Sequence, residues 1–253
     1  DKDLEREVRN KNGTWIFSMQ SRLGAMVADG VRAARGSLVA FLDDDDLYHP
    51  LRLQEVRRAF QADPDLGFFH NAQIPFRNDN LPSFESVLSA STRNRIPPGL
   101  RSRSDCEVIW TQGGAGYNGS STVVRRALLE TRLYELSEIR KAVPPYLFYR
   151  AWCSPVALLV DSRALTAVRL HSSNMTPTLF QGRRAYLARL ASIGADLAAD
   201  AETILAFVPP DVWSIPLHQM SSMGEIVAAL NGSYRSPRRL LHAVLELLRR
   251  RRI

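Results

Sequence analysis

Short apolar runs and helical repeats alternate along the first part of the chain. The aromatic and β-branched run at 14–19 predicts a strand, and apolar residues at helical spacing follow from 21 to 35. The next apolar run, 37–42, has no polar alternation, which is typical of a central strand buried on both faces. A helix is expected at 51–61 and a further strand at 66–70. This order predicts an α/β fold with a mostly parallel sheet and flanking helices.

The later part of the chain is less regular. Residues 77–105 are rich in polar residues and proline. They predict either a long loop that covers a functional site or an insertion. Three more strands are expected, at 120–124, 158–160 and 165–170, the last two as a closing pair. Helical patterns then follow at 183–207 and 237–252. We therefore expect a main domain over residues 1–178 and a helical C-terminal extension over residues 179–253.

Composition and charge narrow the classes of protein. Apolar residues make up 45% of the chain, which is enough to bury a core, so a disordered chain is not expected. Much of the net charge of +7 comes from arginines after residue 234, and the near-neutral remainder argues against a nucleic-acid groove. No apolar run reaches the roughly 18–20 residues needed to span a bilayer, and no signal peptide pattern is present. Cys106 and Cys153 lack metal-ligand spacing, and we interpret both as buried thiols in a reducing compartment.

Four consecutive carboxylates, Asp43, Asp44, Asp45 and Asp46, follow the apolar run at 37–42. Neighbouring carboxylates raise one another's pKa, and a divalent cation removes that penalty. Ligands of open α/β sheets lie beyond the carboxyl ends of the strands, where these residues are expected. Hard carboxylate oxygens favour Mg²⁺ or Mn²⁺ with positions left for substrate phosphates. The sequence therefore predicts a metal and diphosphate site, and a solvated acidic turn before the helix at Pro50 is the alternative.

Other acidic signatures fit this run less well. The aspartate-rich motif of prenyl synthases needs a third carboxylate two residues beyond a pair, where Leu47 and Tyr48 stand here. A phosphoaspartate phosphatase needs Thr or Val where Leu47 stands. An EF-hand needs a glycine and a distal glutamate in register, and neither is present.

Three segments together resemble family-2 glycosyltransferases of the GT-A fold. Residues 30–50 are similar to the hallmark of that family: a helix ending in Ala-x-Gly, a buried strand ending in Phe-Leu, an Asp-x-Asp motif with a further Asp, an aromatic residue and a proline. Residues 117–126 resemble the family's acceptor-side strand and helix. Residues 165–174 resemble its closing Leu-Thr-x-x-Arg-x-His-x-x-Asn pattern. The three segments come in the family's order and cover roughly residues 12–176.

The resemblance implies a role for each matching residue. Asp43 would contact the ribose or the metal shell, Asp45 would ligate a metal that bridges the two phosphates, and Asp46 would orient the sugar or the metal's waters. Together with Asp44 they would form the donor site, with Mn²⁺ or Mg²⁺ as cofactor. His171 stands where many relatives have a metal- or phosphate-contacting histidine, and a hydrogen-bonded histidine at a strand end is the alternative. His70 and Asn71 are expected at the same rim or in a simple strand-end turn.

The chain departs from the family pattern in two places. The family's first strand, with the aspartate that reads the nucleotide base, has no counterpart here, so we expect an amino-terminally truncated fragment. An inverting transferase also needs a general base for the acceptor hydroxyl, and Pro144 occupies the position of the family's aspartate. Glu138 is a weak substitute, and Asp105 and Glu107 are others, so the catalytic residue is left unassigned.

The leading hypothesis is an inverting, metal-assisted glycosyltransferase that moves a sugar from a nucleoside-diphosphate sugar to an acceptor hydroxyl. A glycan or a lipid-linked acceptor in cell-surface polysaccharide or glycolipid synthesis is expected from the resemblance. The basic amphipathic segment 237–253 suits peripheral contact with an anionic membrane or docking on the domain. We expect a cytoplasmic protein, at the inner face of the cell membrane where that segment binds lipid. The alternatives are a catalytically silent relative that binds nucleotide sugar or glycan, and a nucleotidyltransferase.

Overall fold

The computed structural model of the chain describes residues 2–77, 84, 92–99, 101–171 and 183–230, and within the last range it describes side chains from 193 to 222. The strands are β1 (Leu38–Ala40), β2 (Leu47–Tyr48), β3 (Leu66–Phe76), β4 (Arg93–Ile96), β5 (Thr122–Arg125) and β6 (Ala157–Arg169). The helices are α1 (Lys2–Asn10), α2 (Leu23–Ala33), α3 (Arg52–Ala62), α4 (Arg103–Thr111), α5 (Ala127–Glu130), α6 (Leu133–Glu138), α7 (Val143–Trp152), α8 (Arg183–Leu205) and α9 (Ile215–Leu230). A short 3-10 helix, Gly119–Ser121, precedes β5.

The strands form one sheet in the order β1-β5-β3-β6-β2, with β4 also paired to β6. Helices flank the sheet, so the predicted α/β class is confirmed. The sheet is mixed and not mostly parallel, because only β3 and β6 pair in parallel among the described strands. The alternation of strands and helices in the sequence correctly predicted that β1 and β3 run in the same direction. It could not show that β5, which comes some 50 residues later, lies antiparallel between them.

The start of the chain differs from the expected central strands. Residues 14–19 form no strand, and Phe17 and Met19 are largely exposed. Strand β1 has three residues and lies at one edge of the described sheet, where it is only partly buried. Its apolar run was expected to be covered on both faces. The covering is incomplete because β1 has a paired neighbour, β5, on one side only.

The closing pair of strands predicted near 158 and 165 is one continuous strand, β6. The polar residues Asp161 and Arg163 lie inside it and are buried, because Arg163 pairs with Asp161 at 2.7 Å and with Glu55 of α3 at 2.8 Å. Within the predicted loop at 77–105, strand β4 pairs with the first half of β6. The predicted helix at 237–252 lies outside the described residues.

Both faces of the sheet are covered by apolar side chains. Successive residues of β3 point to opposite faces, and Phe68 and Phe69 accordingly belong to two separate buried clusters. Helix α3 covers the smaller cluster through Val56 and Phe60. The larger cluster takes residues from α2, α4, α6 and α7, and from the C-terminal helices, including Ile204. The predicted helical C-terminal segment is thus confirmed, and its side chains pack on the main core.

Three arginines donate to backbone carbonyls at or near the ends of helices. Arg125 donates to Pro64 O, between α3 and β3, at 3.0 Å and to Leu66 O of β3 at 2.6 Å. Arg101 donates to carbonyls at the end of α7 and beyond it, including Ala151 O at 2.9 Å, and Arg126 donates to Ala34 O after α2. Since the last carbonyls of a helix lack the usual partners within it, these guanidinium groups supply donors where few others are present.

The structure also bears on what the sequence predicted for the two cysteines and for membrane-spanning segments. Cys106 is buried as expected, whereas Cys153 is exposed, because it stands at the C-terminal end of α7 beyond the last buried turn. In the described part of the chain, no helix is long and apolar enough to cross a membrane.

Candidate active site at the acidic turn

The four aspartates form a turn that crosses one end of the sheet. Strand β1 ends at Ala40 and β2 begins at Leu47, and these two strands lie on opposite sides of the order β1-β5-β3-β6-β2. The turn is closed by a hydrogen bond from Asp46 N to Asp43 O at 3.2 Å. The predicted position beyond the carboxyl end of a strand is therefore where the structure has the acidic run, which we call the acidic turn (Asp43–Asp46).

The acidic turn is held by groups from the 3-10 helix before β5 and from the end of β6, both distant in sequence. Asp43 N donates to Ser120 Oγ at 2.9 Å, and Arg169 N donates to the Asp46 carboxylate at 3.1 Å. The Ser120 hydroxyl also hydrogen-bonds the Asp46 side chain. Asp46 is buried, and burial raises its pKa while these two hydrogen bonds lower it. Asp46 thus anchors the turn to the sheet. Our sequence reasoning missed the role of Ser120, because nothing in the order of residues links it to a turn 77 positions earlier.

The pKa of Asp43 is raised by its surroundings in the turn. Partial desolvation, and after it the charges of Asp46, Asp45 and Asp44, raise its pKa to about 6. The residue nevertheless remains in contact with solvent. A raised pKa means that the ionised form is disfavoured, which is the penalty predicted for adjacent carboxylates. A cation at this position would stabilise the ionised form.

Asp45 contacts the histidine that the sequence placed in the same site. Its Oδ2 atom lies 2.6 Å from His171 Nε2, and both side chains are partly exposed. Arg169 Nε donates to Asp45 O at 3.2 Å, so the end of β6 holds both the backbone and the side chain of this residue. The structure therefore places His171 in contact with Asp45, two residues from Asp43. Asp44, like Asp43, is exposed.

The donor chemistry of these residues fits a hard divalent ion that keeps positions for a substrate. No group of three His, Cys, Asp or Glu side chains arranged to hold a metal occurs among the described residues. Magnesium is usually bound through one or two carboxylates and completes its shell with water and substrate phosphates. Asp43, with its raised pKa, and Asp45, beside His171, supply such a partial set.

Buried polar groups support the turn from behind. Tyr48 donates to Phe41 O, and the Arg52 guanidinium lies 4.0 Å from the centre of the Tyr48 ring. Arg52 Nε donates to Asn71 Oδ1 at 2.9 Å, and Asn71 Nδ2 donates to Thr166 Oγ1 at 2.9 Å. Asn71 was expected at the rim of the site and is instead fully buried in the middle of β3.

His70 is buried beside Asn71 and was likewise expected at the rim. Desolvation, with a smaller contribution from the charge of Arg52, lowers the pKa of His70 to about 3. Its Nδ1 atom lies 3.2 Å from Thr122 Oγ1. A neutral, buried histidine in mid-strand serves the packing of the sheet. The prediction for both residues failed because β3 continues to Phe76, well beyond the five residues that the pattern suggested.

The candidate positions for a general base lie in α4, in α6 and at the start of α7. Pro144 is in the first turn of this helix and has no group that accepts a proton. Glu138 forms an ion pair with Arg22 at 2.6 Å. Asp105 is bound in the capping box of α4 with Ser102. A carboxylate that the sequence did not suggest, Asp200 of α8, accepts hydrogen bonds at the start of α7 and is fully buried.

The fold and the site define an α/β protein with a carboxylate turn at the end of its sheet. Residues 14–132 match the model of glycosyl transferase family 2. The resemblance inferred from the sequence is confirmed, and over these residues the chain is similar to family 2 glycosyltransferases.

Individual proteins and solved structures are similar to parts of this chain. An uncharacterized glycosyltransferase of Nostoc sp. is 38% identical over 78 residues, which are 31% of this chain and 23% of that protein. Two crystal structures of S. aureus TarS, residues 1–349, are 13% identical to this chain and cover 90% of it, with TM-scores of 0.46 and 0.47. The second is a complex with UDP-GlcNAc. This chain spans less than a quarter of the Nostoc protein and 59–60% of the TarS chains.

Proposed function

We propose that the chain forms the metal- and diphosphate-binding part of an inverting glycosyltransferase. It would move a sugar from a nucleoside-diphosphate sugar to an acceptor hydroxyl. The observation that carries the proposal is the acidic turn, where Asp43 has a pKa raised to about 6 by desolvation and by its neighbours. The match to glycosyl transferase family 2 over residues 14–132 supports sugar transfer as the reaction.

The residues of the acidic turn divide the work among them. Asp43 and Asp45 would hold Mn²⁺ or Mg²⁺, with His171 in contact with Asp45 as the further candidate ligand, and Asp44 is exposed to solvent. Asp46, bound by Arg169 N, keeps the turn in place while the donor binds beside it. When bound, the ion acts as a Lewis acid that stabilises the departing diphosphate. The acceptor hydroxyl attacks the anomeric carbon and passes its proton to a base that we leave unassigned.

Donor binding by an Asp45→Ala variant tests this proposal. We expect it to abolish the Mn²⁺-dependent binding of nucleoside-diphosphate sugars, measured by isothermal titration calorimetry with a panel of donors. Asp65→Ala is the matched control, because Asp65 is also a surface aspartate and makes only a 3.9 Å contact with Arg95. Unchanged donor affinity in Asp45→Ala, or an equal loss in Asp65→Ala, would contradict the assignment.

A catalytically silent relative is the second candidate, and a specific observation favours it. Pro144 occupies the first turn of α7, and the nearby Glu138 is engaged by Arg22 at 2.6 Å. Such a protein would bind the donor with metal and release neither sugar nor nucleoside diphosphate. Single-turnover measurement of donor hydrolysis distinguishes the two, since an active transferase usually hydrolyses its donor slowly without acceptor. Diphosphate release from a nucleoside triphosphate would instead indicate a nucleotidyltransferase.

We propose cell-surface polysaccharide or glycolipid synthesis as the process, with a glycan or lipid-linked acceptor. The basic segment 237–253, which lies outside the described residues, would bind the inner face of the cell membrane through its arginines. Sedimentation with vesicles that contain anionic lipid tests this contact. Absence of binding at low salt would remove the membrane from the proposal and leave donor binding untouched.

A further inference from the structure

A glycine-rich loop, Gly113–Gly119, borders the acidic turn, and we call it the glycine loop. Its backbone is fixed by Tyr117 N, which donates to Gly114 O at 2.9 Å, and by left-handed conformations at Gly114 (φ +66°) and Asn118 (φ +51°). Asn118 also donates to Gln73 Oε1 at 2.5 Å. Gly116 lies flat on Trp110, because a Cβ atom there would stand 2.1 Å from the indole ring. The loop is therefore shaped by specific contacts along its whole length.

Tyr117 is the side chain that this loop presents to solvent. It is 52% exposed, which is unusual for a large aromatic residue whose polar group is already satisfied. Trp110 Nε1 donates to Tyr117 Oη at 3.1 Å, and the two rings meet edge to face with centroids 5.4 Å apart. Trp110 is itself buried in the main core. The Tyr117 ring is thus held in one orientation while about half of its surface remains open.

Tyr117 lies close along the chain to the residue that binds the acidic turn. Tyr117 precedes Ser120 by three residues, and three residues span at most about 11 Å. Ser120 Oγ is directly bonded to Asp43 N at 2.9 Å. The loop ends against the strand that leads into the turn, since a Cβ atom at Gly119 would lie 3.9 Å from Phe41. The backbone of Tyr117 is therefore at most about 11 Å from that of Ser120, which is on the scale of one or two sugar units.

We propose that the Tyr117 ring is the stacking platform for a pyranose ring at this site. A pyranose has an apolar face of C–H groups that covers an aromatic ring, and hydroxyl groups around its rim that carboxylates bind. A fixed, half-open aromatic ring next to a turn of carboxylates presents both partners together. The inference rests on the proposed function for its class of ligand. The pyranose is either the sugar of the donor or the terminal sugar of the acceptor, and the two share the chemistry that the ring recognises.

Three variants of Tyr117 and one control separate the ring face from other effects. Tyr117→Ala removes the platform, Tyr117→Leu keeps apolar volume without a flat face, and Tyr117→Phe keeps the face but removes the acceptor of the Trp110 N–H. Tyr134→Ala is the matched control, because Tyr134 is 81% exposed on α6 and has no ring contact among the described residues. Thermal unfolding of each variant checks that the fold is retained. Tyr117→Phe also controls for the lost indole hydrogen bond, since it shares that loss with Tyr117→Ala.

The probes are nucleoside-diphosphate hexoses, the matching nucleoside diphosphates without sugar, and an array of immobilised glycans, all with Mn²⁺. If the donor sugar stacks, Tyr117→Ala should weaken hexose conjugates about tenfold and leave the bare diphosphates unchanged. If the acceptor sugar stacks, glycan binding should fall by a similar factor with donor affinity intact. Tyr117→Phe and Tyr134→Ala should behave as the unaltered protein in both assays, and Tyr117→Leu should behave like Tyr117→Ala.

The platform and the proposed function fail in different ways. Equal affinities of the unaltered protein and Tyr117→Ala for every hexose conjugate and glycan would overturn the platform. It would also be overturned if the unaltered protein bound no glycan and bound hexose conjugates no more tightly than the bare diphosphates. Either result leaves metal-dependent binding of the bare diphosphate in place. Conversely, a Tyr117-dependent affinity for glycans in a protein that binds no nucleotide with Mn²⁺ would support the platform and overturn the donor site.

Discussion

The start of α7, which carries Pro144, depends on one buried carboxylate from the C-terminal helices. Asp200 accepts from the backbone N–H groups of Arg140 at 2.7 Å, Lys141 at 2.7 Å and Ala142 at 2.8 Å. Asp200 is fully buried, and Ala142 is 4% exposed. We predict that Asp200→Ala destabilises the protein strongly, because it removes the acceptor of three donors at once.

The size of the effect follows from the burial of those donors. A buried donor left without a partner costs about 1–3 kcal/mol. The Ala142 N–H bears that cost in full, whereas Arg140 and Lys141 are partly exposed and can turn to water. The expected loss is therefore about 2–4 kcal/mol, a large share of the roughly 5–15 kcal/mol that stabilises a typical domain.

Urea unfolding followed by tryptophan fluorescence measures this loss. Asp196→Ala is the matched control, because Asp196 is on the same helix and pairs with Arg140 at 3.2 Å through side chains that are 36% and 41% exposed. Exposed pairs contribute about 0–1 kcal/mol. A loss below about 1 kcal/mol in Asp200→Ala, or equal losses in the two variants, would refute the reasoning.

Three further predictions follow from single contacts. A metal needs the ionised carboxylate, and the pKa of Asp43 is about 6. Mn²⁺ affinity measured by calorimetry should therefore fall about tenfold when the pH is lowered from 7 to 5. The Asp43→Asn variant should lack that part of the pH dependence. Gly24→Ala should lower the free energy of unfolding by about 1–3 kcal/mol, because its Cβ atom would stand 2.0 Å from a backbone carbonyl of α6. Gly30→Ala is the control, since its Cβ atom would meet no atom within 4 Å, and it should be neutral or stabilising. Urea unfolding measures both. Iodoacetamide should modify the exposed Cys153 slowly at pH 7, since desolvation raises its pKa to about 11, and should leave Cys106 intact until unfolding, as mass spectrometry of the peptides would show.

Local patterns predicted helices α2, α3 and α8 and the position of the acidic turn. Helices α2, α3 and α8 begin and end within a few residues of their predicted bounds, because each has its own apolar periodicity and its own stop signal. The acidic turn was found because four carboxylates after an apolar run are unfavourable in almost any other setting. Such features depend on neighbours in the sequence, and the sequence states them directly.

Long-range pairing limited the rest of the prediction. The polar residues at 161–163 suggested a break between two strands, whereas Arg163 is neutralised inside one strand by Asp161 and by Glu55, 108 residues away. Ser120 and Asp200 were missed as parts of the site for the same reason, since their partners are 77 and up to 60 positions distant. The pairing of β5 between β1 and β3 is a further case. None of these has a signature in the residues that flank it.

The arginines at the helix ends change how the formal charge of the chain should be understood. Arg101 and Arg125 are bound mainly to backbone carbonyls, so each guanidinium spans several acceptors in a fixed plane. A lysine keeps the charge at such a place and loses the span. Salt that screens surface ion pairs leaves these contacts largely intact, because their partners are dipoles and not ions. The ends of α3 and α7 should therefore keep their positions in concentrated salt. A cation at the acidic turn would be bound more weakly under the same conditions.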